Sequence, residues 1–477
     1  MLAKEIHTQI EAYSATVSPW HAGLVAFTVY LILRTIYLVT LHPLASVPGP
    51  WLARISDVWK ARETAKGRYV TSLRRAHEKW GRIVRIGPNE VSVVAPEDLK
   101  QMYGHGTRWT KGPFYPAWSI GERGHFSHTD PHLHGLGRRA VAAAYSTNNL
   151  LGLEDINNPA KLFGYFERAA LSNSVADLTQ LVEWFAYDTA FSIPVRGILP
   201  VLADGTAFLV LTSCFSDWSW IVPTAPFHML LQTLLGDKGP VLFVKFSTAL
   251  VNERLRLREN DPEAFADKTD MLSHLLKAVD RQPSNSSPRI GSAPLWWADT
   301  TNTSMCAFLG YVYDPQNATT LQKLRDEVAQ AIDEGKLSFP VPYAQGANLE
   351  FMQACIKEAN RMHPAVGMTL QRVVPQGGAH VHYDERAYGK DAHLWRPERW
   401  LEEEAKSDLS KYNLAFGQGS RICLGKNISI LEMLKLLPSL VWHWDLIFED
   451  YEKPFTVNES WFTVPSELKC RLRKRDV

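Results

Sequence analysis

Cysteine is scarce in this chain, and no two cysteines stand close together. The five, Cys214, Cys306, Cys355, Cys423 and Cys470, are scattered through 477 residues with no Cys-x-x-Cys pair. That spacing argues against a disulfide framework and against a zinc site of paired thiolates. An excess of one charge is missing too. Lys+Arg 51 against Asp+Glu 50 leaves no global field to draw the chain to nucleic acid. Internal repeats and long low-complexity tracts are absent. A zinc or cysteine hydrolase would need a ligand set or a Cys/His spacing that does not occur here. Long apolar runs are lacking except for one near the N-terminus.

That run extends from Ala22 to Leu41 and is broken only by Arg34. About 20 apolar residues span a bilayer. Arg34 lies off-centre, where a long side chain reaches the interface. The alternatives are an amphipathic or signal segment, but no small-residue cleavage site is obvious. His42-Pro43 and Pro48-Gly49-Pro50 follow as a stiff break. We therefore expect a membrane anchor over residues 1–42, a proline-rich hinge, and a domain over 43–477. With 45% hydrophobic residues, that domain has enough apolar material for a large core.

Beyond the hinge, Tyr69, Leu73, Ala76 and Trp80 share a helical face and Gly81 marks a stop. Ile83–Ile86 and Glu90–Val94 read as strands around Gly87-Pro88-Asn89. Pro96-Glu97-Asp98 opens a further helix. Gly112–Trp118 is an aromatic loop, and His134-x-x-x-Arg138-Arg139 begins another helix. From Val175 to about Leu235 the chain reads as helical, with Phe215, Trp218, Trp220 and Phe227 clustered near its end. Residues 281–292 read as a loop. Leu349, Met352, Ile356, Ala359 and Met362 form an apolar stripe that Pro364 ends, and Thr369–Val374 follows as a strand.

The densest local signal is Phe416 to Gly425. Gly417 and Gly419 permit sharp turns. A single thiol, Cys423, stands just before the helical pattern Ile428, Leu431, Leu434, Leu437. A thiol near a helix N-terminus is biased toward thiolate. A buried structural cysteine is the alternative. The spacing Phe-x-x-Gly-x-Arg-x-Cys-x-Gly resembles the haem-ligand loop of the cytochrome P-450 superfamily at Phe416, Gly419, Arg421, Cys423 and Gly425. The helix–hairpin–helix order, with Arg85–Glu90, looks like its filamentous-fungal microsomal members of the pisatin demethylase type.

This resemblance implies a mainly α fold with a small β-sheet region, preceded by one transmembrane helix. It implies haem b with Cys423 as axial thiolate, the sulfur shielded by Phe416. His134, Arg138, Arg372 and Arg421 would meet the haem propionates, and the aromatic loop would overhang the substrate pocket. Glu358 and Arg361, i and i+3 on a helix, would be buried with Arg399. On a surface helix the same pair would contribute only about a few tenths of a kcal/mol. Asp299 and Thr300 would deliver protons to bound O2. Implied partners are an NADPH-dependent flavoprotein reductase, O2, a lipophilic small molecule and the endoplasmic reticulum membrane. The catalytic domain would face the cytosol.

Two departures stand out. Trp296-Trp297 replaces the small Ala-Gly pair that usually precedes the acid–alcohol pair. After Gly377-Gly378 the chain reaches His382-Tyr383-Asp384 almost at once, so two strands of the sheet beside the substrate channel are missing. The primary reading is a haem monooxygenase of fungal secondary metabolism. The alternative is a haem-binding protein whose monooxygenase chemistry these changes have impaired.

Overall fold

A computed structural model describes residues 19–94, 96, 99–107, 109–118, 126–157, 159–192, 239–268, 270–280, 298–367, 371–373, 385–402, 409–452, 455–459 and 463–477. The chain divides into two units. One holds the residues to Arg62 with Arg74–Ser92, and the other holds Glu63–Leu73 with Val93–Val477.

In the first unit, α1 (Pro19–Ile36) runs into a π-turn over Tyr37–Leu41. The apolar span Trp20–Leu41 is long enough to cross a membrane, and Trp20, Leu24, Phe27 and Leu33 on it are exposed. Arg34 Nη1 donates to the Ile55 carbonyl at 2.9 Å. Strands β1 (Ile83–Gly87) and β2 (Glu90–Val93) pair around the turn read from the sequence. Arg85 on β1 is fully buried and donates to the carbonyls of Leu38 (2.9 Å), Leu44 (3.1 Å) and Pro88 (2.8 Å). The Arg85 N–H donates to the Pro48 carbonyl at 2.7 Å. A Cβ at Gly49 would sit 2.2 Å from the Arg85 carbonyl oxygen, so only glycine lets these backbones approach. The proline-rich stretch expected to be a hinge is thus bonded along the hairpin. Helix α2 (Tyr69–Trp80) ends at Gly81, whose φ of +89° makes it the stop that was expected.

The second unit holds the helices and strands that follow β2. α3 (Leu99–Tyr103) and β3 (Thr110–Lys111) precede α4 (Pro131–Ala142). α4 begins three residues before His134, because Asp130 caps it by accepting from the Leu133 N–H at 2.9 Å and Pro131 suits the first position. After α5 (Ala160–Leu171) the expected helix from Val175 starts instead as a strand, β4 (Val175–Asp177), and only then becomes α6 (Leu178–Ser192). The partner that makes it a strand is the C-terminal β9 (Lys469–Lys474), which pairs Val175 with Arg471. α7 (Gly239–Asn260) and α8 (Met271–Asp280) share a buried Arg254–Asp270 ion pair at 2.6 Å.

The core is built on α9 (Ala298–Val312), α10 (Ala318–Asp333), α11 (Glu350–Met362) and α12 (Lys426–His443). Met305, Phe308, Leu309, Met352, Leu436 and Leu440 are all fully buried there. Glu327 on α10 accepts from the Phe351 and Met352 N–H groups at 2.7 and 2.9 Å, satisfying the free N-terminus of α11. β5 (Arg372–Val373) is the described part of the strand expected over Thr369–Val374. β6 (Trp444–Phe448) joins β4 and β9 in one sheet, and β7 (Thr456–Glu459) pairs with β8 (Thr463–Ser466). The fold is mainly helical with small sheets. The aromatic cluster at Phe215, Trp218, Trp220 and Phe227, the loop 281–292, the Trp296-Trp297 pair and the segment from Gly377 to Asp384 lie outside the described residues.

Candidate functional site

Glu358, at the centre of α11, is fully buried with Arg361 and Arg399. Arg361 donates through Nε and Nη2 to the two carboxylate oxygens at 2.9 and 2.8 Å. Arg399 Nε adds a bond at 3.0 Å, the Arg396 N–H one at 3.0 Å and Trp400 Nε1 one at 2.9 Å. The guanidinium groups are completed by carbonyls, Tyr388 for Arg399 at 2.8 Å and Leu394 for Arg361 at 3.1 Å. Helical spacing brings Glu358 and Arg361 together, and the short turn Pro397–Trp400 delivers Arg399. Every charge is paired, the condition for burying ions at all.

The loop from Phe416 to Gly425 is shaped by its glycines. Gly417 and Gly419 have φ of +70° and +62°. A Cβ on Gly419 would lie 1.9 Å from the Tyr103 carbonyl oxygen of α3. The Cys423 N–H folds back to the Phe416 carbonyl at 2.8 Å, and Gly425 caps α12. Among the described residues Cys423 is the exposed cysteine, while Cys306, Cys355 and Cys470 are buried. Burial pushes those three thiols up and makes them inert. Loss of hydration also pushes Cys423 up, and the Gly425 and Lys426 N–H groups and Arg138 offset only part of that rise. Phe416 is half-buried at the head of this loop.

Cations converge beside that thiol. Arg138 on α4 donates through Nη1 to the Ile422 carbonyl at 2.6 Å. Arg421 donates to the His128 carbonyl at 3.2 Å, and Arg372 to the Tyr115 hydroxyl at 3.2 Å. His134 is buried one turn before Arg138. The sequence reading missed a further cation. Lys111 is buried, pairs across the β3–β5 ladder with Arg372, and donates to the Phe126 carbonyl. Its ammonium lies 4.3 and 4.4 Å from the ring centroids of Tyr115 and Phe126. Burial pushes Lys111 well down, and Arg421, Arg372 and Arg138 push it further. Arg421 is pushed down to about 10 by burial and by Arg372, against smaller pulls from Tyr115 and Asp130. No local motif in the sequence marks Lys111, because a two-residue strand pairing with a distant partner leaves no pattern.

The site therefore offers one thiol with N–H donors and Arg138 acting on it, and Arg138 in turn belongs to a cluster with Lys111, Arg372 and Arg421. That donor set fits a group carrying a thiophilic metal and anionic substituents. Asp299 and Thr300 stand at the second and third positions of α9.

Comparison with known proteins gives the same answer. The model of the Cytochrome P450 family matches residues 48–378 and 377–469. Cytochrome P450 monooxygenase cicH of Emericella nidulans is 30% identical over 479 residues, covering 91% of this chain and 94% of that protein. Cytochrome P450 monooxygenase gsfF of Penicillium aethiopicum is 30% identical over 499 residues, covering 95% and 98%. A pisatin demethylase of Fusarium vanettenii is 29% identical over 485 residues, covering 94% and 93%. A match of this extent, on a chain whose one exposed described cysteine sits in a glycine-shaped loop beside a cluster of cations, makes this protein a member of the cytochrome P450 family.

Proposed function

We propose that this protein is a membrane-anchored haem-thiolate monooxygenase that inserts one atom of O2 into a lipophilic organic substrate of fungal secondary metabolism. The observation that carries the reading is Cys423, exposed and approached by the Gly425 and Lys426 N–H groups beside four cations. Haem b, when bound, supplies O2 activation, and a thiolate ligand favours O–O cleavage. Cys423 would hold the iron, and the two N–H donors would tune the sulfur. Arg138, Arg372, Arg421 and Lys111 would neutralise the propionates, with His134 beside them. Burial depresses Lys111 and Arg421 first and their mutual repulsion adds to it; a bound pair of carboxylates would offset that repulsion.

Asp299 and Thr300, an acid followed by an alcohol on α9, would hold and pass protons toward the oxygen site. Glu358, Arg361 and Arg399 would hold the scaffold behind the cysteine loop. Electrons would come from an NADPH-dependent flavoprotein reductase. α1 would anchor the protein in the endoplasmic reticulum membrane with the domain in the cytosol. The fungal monooxygenase relatives cicH and gsfF support the secondary-metabolism setting.

The test is the visible spectrum of the expressed, reduced protein with and without carbon monoxide. A strongly red-shifted Soret band, lost in Cys423→Ser, is the expected result. Haem bound without that shift, or no haem at all, overturns the reading.

A further inference from the structure

Arg34 sits inside the apolar span Trp20–Leu41, seven residues from its C-terminal end. At about 1.5 Å per residue it lies roughly 10 Å short of Leu41. An arginine at that depth of a bilayer turns its head toward the nearer interface. Its Nη1 meets the Ile55 carbonyl at 2.9 Å. With α1 in a membrane, that bond holds the short helix Trp51–Ile55 at the level of the lipid headgroups. Trp51 on this helix is exposed, which suits a ring at a membrane interface.

Three guanidinium groups gather there without a carboxylate. Arg34 makes that single bond among the described residues, which leaves most of its N–H groups open. Arg54, half-buried next to Ile55, has no hydrogen bond or ion pair among the described residues. Arg85, fully buried, donates to the carbonyls of Leu38, Leu44 and Pro88 and to His42 Nδ1, and its Nε has no partner. Carbonyls fill hydrogen bonds but leave the charge itself unpaired, and an unpaired buried charge is costly. Burial pushes Arg85 down, Arg54 pushes it further, and no acid pulls it back. The acids of this stretch, Asp57 and Glu90, both pair with Lys60. The cluster thus lacks an anion at the level where a bilayer carries its phosphates.

We propose that Arg34 and Arg54 hold the phosphate of an anionic phospholipid in the leaflet at the C-terminal end of α1, with the buried charge of Arg85 behind them. The proposal rests on the reading of α1 as a membrane anchor and adds a headgroup site to it. A guanidinium presents parallel N–H groups that match phosphate oxygens. The occupant is a lipid rather than free phosphate, because Arg34 enters the site from within the apolar span and its ligand lies beside that helix. Bound there, the phosphate ties the last turns of α1 to the helix Trp51–Ile55 and supplies the counter-charge that Arg54 and Arg85 lack. Phosphatidylcholine, whose headgroup carries its own cation, offsets less of that charge than phosphatidate.

The experiment places the full chain in phosphatidylcholine vesicles that carry a trace of spin-labelled phosphatidate or spin-labelled phosphatidylcholine. Electron paramagnetic resonance then reads the fraction of each lipid held immobile by the protein. The expected result is a preference for phosphatidate of about fivefold per arginine, with about one such factor lost in Arg54→Gln. Arg75→Gln, which removes the same charge from an exposed position on α2, keeps the preference. Arg54→Lys keeps the charge without the fork and loses part of it, and this variant serves should Arg54→Gln fail to fold. Equal retention of the two lipids by the wild type, an equal loss in Arg75→Gln, or a preference erased by inorganic phosphate overturns the proposal. Flotation of the same samples separates the two readings. A chain that does not float removes the anchor and the site with it, whereas a floating chain without the preference removes the site alone.

Discussion

Glu358 collects donors from two arginines, one backbone N–H and one indole, and no water-exposed surface shares the load. Deleting it leaves the buried Arg361 guanidinium without its carboxylate and Arg399 with Asp391 alone, 3.2 Å away. Loss of one partner of a buried pair costs about 3–5 kcal/mol. Glu358→Ala should therefore yield little folded, haem-loaded protein, read as haem per polypeptide after purification. Normal haem content in that variant would refute the scaffold role. At this scale the sequence was legible where chemistry is compressed into a short stretch. The ten residues around Cys423 carry a turn, a ligand and a helix start, and each needs its own residue type. Glu358 and Arg361 were legible through helical spacing. Lys111 was not, since its partners are set by tertiary packing.

The ladder of Thr110–Lys111 against Arg372–Val373 is only two residues long, yet it sets a lysine beside an arginine inside the protein. Without an anionic ligand that arrangement is costly. Lys111 loses its proton more readily folded than unfolded, so between its lowered folded pKa and 10.5 the unfolded chain binds more protons. Haem-free protein should then gain stability as pH rises through that window, with the penalty present in full below it. Lys111→Met should flatten this dependence and raise the thermal stability of the haem-free form by about 1–4 kcal/mol. The same variant should release haem faster, measured by transfer to a haem scavenger. Equal release rates would separate Lys111 from the propionates. Elements of this kind escaped the sequence reading. β4 reads as helix in sequence because its partner β9 lies at the far end of the chain, whereas α2, α11 and α12 are visible from local periodicity alone.

For the whole molecule, the apolar span Trp20–Leu41 predicts that the full chain floats with lipid vesicles in a density gradient, and that a chain starting at Pro43 does not. Truncation there has a second effect. Arg85 takes the Leu38 carbonyl as one of its acceptors, and a buried donor left without a partner costs about 1–3 kcal/mol. A chain starting at Ile36 should unfold at higher temperature than one starting at Pro43, and equal melting temperatures would discount Arg85. The mainly helical class, the early hairpin and the apolar N-terminal helix were legible as patterns along the chain. The bonds that tie Leu38, Leu44, Pro48 and Pro88 to one arginine were not, because a buried guanidinium looks like any charged residue in sequence.

Those bonds change what the proline-rich stretch does. A swivel would let the membrane helix rock freely. Arg85 instead acts as a bracket, gripping carbonyls on both sides of the break while Gly49 lies flat against its backbone. Arg85 thereby pins the carbonyls of Leu38 and Leu44, on the two sides of His42-Pro43, to the β1–β2 hairpin, so the stretch works as a clamped joint rather than a leash.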